Sequence, residues 1–121
     1  MTSTFDVDDW PAYFRDFSSR NLGRVARLEI FGELGALMEV RRMPLGGVSV
    51  DMKVADAPRV DIMLGGLSAK FSDSITHSIP YVSAIMALAA SDKSENAIEF
   101  QTSDGVRTLL SFETQTFVAA N

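Results

Sequence analysis

The 121-residue chain contains no cysteine, one histidine and four prolines. Without a thiol there is no disulfide framework, no thiolate metal site and no cysteine nucleophile. A lone imidazole is too few for a transition-metal site built on histidine. Gly46-Gly47 and Gly65-Gly66 are not phosphate loops, because neither leads into a helix start with a lysine, and they read as turns or bulges. No cofactor and no metal is expected.

Long apolar runs are missing as well. The longest, residues 81–90, is ten residues interrupted by Ser83, about half of what a membrane-spanning helix needs. Positive charge is scarce: 11 basic against 16 acidic residues give a formal net charge of −5. Sequence-independent nucleic-acid binding depends on lysine and arginine neutralising phosphates, so nucleic acid is not an expected partner, and neither is a membrane. The first nine residues are acidic and polar where a secretory signal would be basic and then apolar. Together with the absence of cysteine, this points to a reducing cytoplasm.

What is present is core-forming material. At 46% hydrophobic, a chain of this size can bury about two-thirds of the surface its unfolded form exposes, enough for one domain over residues 1–121. Asp8 or Asp9 before Trp10-Pro11 reads as a helix start, with a carboxylate cap and a proline in the first turn. Trp10, Phe14 and Phe17 recur at helical spacing with Tyr13 beside them, and Gly23 suits a left-handed stop, so a helix is expected over about 9–20.

Beyond Gly23 the period changes to two. Ala26, Leu28 and Ile30 alternate with Arg27 and Glu29, and Met38 and Val40 with Glu39 and Arg41. Val48, Val50, Met52 and Val54 form the cleanest alternation in the chain, followed by Val60, Ile62 and Leu64. Ile98 and Phe100, then Val106, Leu110 and Phe112, close the pattern. Residues 71–79 and 81–90 are read as strands, and turn compositions fall at 32–35, 44–47, 55–58, 65–66, 91–95 and 103–105. The expected fold is α+β and mostly β: an N-terminal helix packed on a small antiparallel barrel or strongly curved sheet of seven or eight strands, with the β meander over about 24–118. For the last hairpin, a three-residue loop at Ser103-Asp104-Gly105 is expected, because it sets Ile98 opposite Leu110 and keeps the apolar residues on one face.

Several motifs, in this order and spacing, carry a likeness: Trp10 with Phe14 and Phe17-Ser18, Gly23-Arg24, Leu28-Glu29, Pro44-Leu45-Gly46-Gly47-Val48 with Asp51, Val60-Asp61-Ile62, Thr76-His77-Ser78-Ile79-Pro80, and Asp104-Gly105-Val106. With them the chain resembles a family of short bacterial proteins known only as a domain of unknown function. The resemblance implies a compact bacterial domain with a tryptophan-bearing helix ahead of an all-β unit. It transfers no catalytic or binding residue.

The candidate functional residues are few. Arg27, Glu29, Glu39 and Arg41 fall on the wet faces of two successive strands with Arg42 close by, and seven of the eleven basic residues lie between Arg15 and Lys53. They read either as a docking surface or as solvated charge pairs, in registers that oppose Arg27 to Glu39 or Glu29 to Arg41. His77 is the one neutral-pH base, with Asp73 nearby, and the bland account is a histidine on the same strand face as Ile75 and Ile79. Asp8, Asp9 and Asp16 lack the spacing of a calcium loop.

The expected function is that of a non-catalytic cytoplasmic interaction or accessory protein, with a protein partner and self-association as a homodimer. A carrier of a small apolar molecule inside the barrel, drawing on Met38, Met52, Met63 and Met86, is the alternative. An enzyme using His77 with a carboxylate is a third reading. An empty interior would favour the carrier, and a cleft holding His77 beside a carboxylate the enzyme.

Overall fold

The computed structural model describes residues 2–4, 6–32, 37–65, 74–89 and 95–113. They form one helix, α1 (Trp10–Asn21), and eight strands: β1 (Thr2–Thr4), β2 (Val25–Phe31), β3 (Leu37–Asp51), β4 (Arg59–Leu64), β5 (Ile75–Ile79), β6 (Val82–Ala89), β7 (Glu95–Thr102) and β8 (Arg107–Phe112). All pairings are antiparallel, in one sheet of order β1-β6-β7-β8-β2-β3-β4-β5. Among the described residues no ladder joins β5 back to β1, so the sheet is strongly curved and open, not a closed barrel.

The count falls within the expected seven or eight strands, but two of the strands are not where the sequence pattern put them. Residues 44–47 do not turn the chain. They form a bulge, with a register shift between Leu45 and Gly47, and β3 runs through it for 15 residues, stopping at Asp51. A bulge adds a residue and bends a strand without ending it, which accounts for the glycines there. The missing count is made up by β1, a three-residue strand in the polar N-terminal segment.

The helix begins one residue late, after a single 3-10 turn over Val7–Asp9. The expected carboxylate cap is not made: Asp9 already has helical dihedrals, and its side chain bonds no backbone N–H. At the other end Gly23 is left-handed, at φ 84°, and its N–H donates to the Leu45 carbonyl at 2.9 Å while the Leu45 N–H donates to the Arg24 carbonyl at 2.9 Å. The helix exit is thereby tied to the middle of β3.

Pairing of β2 with β3 ends at Pro44, opposite Val25, so among the described residues this edge of β3 has no strand partner beyond that point. Ser18 takes the place of one. Its Oγ accepts the Val48 N–H at 2.8 Å and lies 2.9 Å from the Val48 carbonyl and 2.7 Å from the Phe14 carbonyl.

The inner face of the sheet carries Ala26, Leu28, Val60, Ile62, Leu64, Ile85, Ile98, Phe100, Leu110 and Phe112, all buried. Trp10, Phe14 and Phe17 of α1 are buried against them, with ring centroids 5.7 Å apart for Phe14 and Phe100 and 5.8 Å for Phe17 and Phe112. At the last hairpin, Thr102 and Val106 close a three-residue loop, Gly105 is left-handed at φ 90°, and Ile98 pairs with Leu110.

Candidate functional site

Away from α1 the inner face is not fully covered. A cavity of about 260 Å³ lies between β5 with its continuation Pro80-Tyr81 on one side and the β7–β8 hairpin on the other. It is lined by Ile30, Ile79 and Val106 together with the polar residues His77, Thr102, Asp104 and Thr108 and with Tyr81. Register explains why polar groups reach it. His77 pairs with Ile62, whose side chain is buried, and so takes an inward position on β5; Thr108 pairs with Ile30 and Phe100 and takes an inward position on β8.

The wall is held from outside. On the outer face of β5, the Ser78 hydroxyl donates to Asp61 at 2.5 Å, and Asp61 and Asp56 flank the Arg59 guanidinium at 3.5 and 3.8 Å. The carbonyls of Asp56 and Pro58 accept the N–H groups of Tyr81 and Val82 at 3.0 and 2.9 Å. Between these anchors Tyr81 has φ 53° with its side chain exposed, a conformation that costs a non-glycine residue about 1–2 kcal/mol. Strain of this kind persists where the surroundings enforce it, and it concentrates at ligand clamps and active sites.

Burial holds the His77 imidazole below its usual pKa, so it is neutral at pH 7. Among the described residues no hydrogen bond or ion pair ties it to a carboxylate. Asp104, at the hairpin tip, accepts a short hydrogen bond from the Thr102 hydroxyl and a longer one from the Val106 N–H, and these keep its pKa below the usual carboxylate value. Asp73, the partner considered for His77, lies outside the described residues.

The charged set on β2 and β3 does not form the favourable pairs expected. The register sets Glu29 opposite Glu39, like against like, and a bulge between Ala26 and Leu28 displaces Arg27 from either partner. Arg27 is exposed, Arg42 is exposed and paired with Glu113 at 2.8 Å, and the side chains of Glu39 and Arg41 lie outside the described residues. Of the methionines, Met52 and Met63 are exposed and Met86 half-buried, so none of these three fills an interior space. Asp8, Asp9 and Asp16 are exposed, and the described residues hold no group of three metal-binding side chains. No described helix is long and apolar enough to cross a membrane.

A family model described as a family of unknown function (DUF5335) matches residues 1–119. The chain belongs to the DUF5335 family. Searches of curated proteins and of solved structures each returned no match. The DUF5335 match spans both α1 and the cavity walls. Reading along the sequence singled out His77 and missed Thr102, Asp104 and Thr108 as members of one site. The available signal was the strand period itself, which puts His77 and Thr108 at positions where an apolar residue belongs.

Proposed function

We propose that the protein is a non-catalytic binding module, housed in a reducing cytoplasm, that takes a small molecule in the cavity between β5 and the β7–β8 hairpin. The observation that carries this reading is the cavity itself: concave, mostly apolar, with a few convergent polar groups and a strained residue at its rim, which is the usual anatomy of a ligand site. At about 260 Å³ it suits a compact ligand. Binding is favoured over catalysis because, among the described residues, no carboxylate is hydrogen-bonded to His77 to orient it as a base. This reading takes up the carrier function considered as the alternative for a barrel interior and sets it at the rim of an open sheet.

The experiment is a fragment screen on the full chain by amide chemical shifts, repeated with Val106→Phe. The expected result is a set of binders that perturb residues 77–81 and 102–108 and lose at least tenfold in affinity when the larger side chain occupies the space. Binders unaffected by Val106→Phe would contradict the assignment.

A further inference from the structure

We propose that the cavity selects a small organic cation, an ammonium or protonated heteroaromatic group on an apolar body, with Asp104 as its counter-ion and the Tyr81 ring as its cover. This inference rests on the cavity being the binding site. Among the described lining residues Asp104 is the one formal charge at neutral pH, with no lysine or arginine to receive an anion. The Asp104 carboxylate is already oriented, by the Thr102 hydroxyl and the Val106 N–H. A bound cation therefore need not order a free side chain, which is the usual cost of an exposed ion pair. Tyr81 is held by its backbone at the rim with its ring free to solvent, and a tyrosine face attracts cations. Ile30, Ile79 and Val106 supply apolar surface that a bare metal ion would not use.

The remaining titratable group of the lining, His77, sharpens the expectation. Of the described lining residues only His77, Tyr81 and Asp104 titrate, and His77 faces Ile62 on the neighbouring strand. Neutral at pH 7, His77 leaves the negative charge of Asp104 uncompensated; protonated, it would repel the ligand. Cation affinity is therefore expected to fall in acid, as the pH drops through the depressed value of the buried imidazole, which lies below the ordinary value of about 6.5.

The test uses three probes of nearly equal size on the full chain: benzylammonium, benzyl alcohol and benzoate, titrated while amide shifts are followed. Benzylammonium is expected to bind about fivefold more tightly than benzyl alcohol, with benzoate weakest, and to lose that advantage in Asp104→Asn, which retains an acceptor for the turn. Raising the salt concentration should reduce the advantage, since the carboxylate is exposed. Equal binding of amine and alcohol at the cavity would overturn the cation inference and leave the binding site in place. Perturbations from all three probes confined to other parts of the molecule would overturn both.

Discussion

Phe100, Thr108 and Ile30 lie in one cross-strand row on the inner face of the sheet, and that row divides two unlike regions. On the Phe100 side the ring of Phe14 descends from α1, and the space is closed by fully buried aromatic side chains. On the Ile30 side Thr108 and His77 take inward positions and the space stays hollow. The same strands and the same alternation serve both regions. What differs is the occupant the chain itself provides: four aromatic residues from a helix on one side, a histidine, hydroxyls and a carboxylate on the other. A polar residue at a position the period reserves for the core is the informative exception, because a sequence optimised only for stability would place an apolar side chain there.

Substitutions should therefore act in opposite ways on the two sides. The largest effect is expected from Phe14→Ala, which empties a fully buried position in the aromatic cluster and should cost about 3–5 kcal/mol in chemical denaturation. Truncation there without loss of stability would erase the contrast. Next, Ser18→Ala removes the acceptor of the Val48 N–H on the edge of β3 beyond Pro44 and should cost about 1–3 kcal/mol. On the hollow side Val106→Phe should change stability by less than about 1 kcal/mol, because the added ring enters open space in place of packed core.

Acid should distinguish the regions too. The folded-state pKa of His77 is depressed by burial, so the unfolded chain takes up the proton first as pH falls. Stability contributed by the neutral imidazole is present above about 6.5 and is lost progressively as the pH falls from there through the lower folded value. His77→Gln should flatten stability over this window, measured by urea unfolding at a series of pH values. Asp104 acts with the same sign only in stronger acid, below the ordinary carboxylate range. The smallest effect is expected at Tyr81: Tyr81→Asn, which tolerates a left-handed backbone, should leave the melting temperature unchanged or slightly higher while weakening ligand binding.

Much of this architecture is legible in the sequence where one rule acts alone. Trp10, Phe14 and Phe17 at helical spacing give α1 and its buried face, and the pairing of Ile98 with Leu110 follows from the need to keep one face dry across a three-residue loop. Legibility fails where two rules compete. Pro44 and the Gly46-Gly47 pair carry turn chemistry, yet the apolar alternation on either side holds β3 in one piece through a bulge. Thr2–Thr4 has neither alternation nor length, and only pairing with β6 makes it a strand. The cavity is harder to read still, because its walls come from positions 30, 77–81 and 102–108 and converge only through register. Single letters there, Thr108 or Asp104, have adequate explanations as strand and turn residues until the fold sets them side by side.

The central claim is that the hollow side of the Thr108 row is a site and the aromatic side is scaffold. Fragment-induced amide shifts mapped over the full chain test it most directly, because a second hollow of about 360 Å³ exists between α1 and β3, bounded by Pro11, Arg15, Ser49 and Met63. The account predicts that binders perturb residues 77–81 and 102–108 and leave the amides of α1 unmoved. Perturbations centred on Arg15, Gly47 and Ser49, with His77 and Asp104 silent, would contradict it.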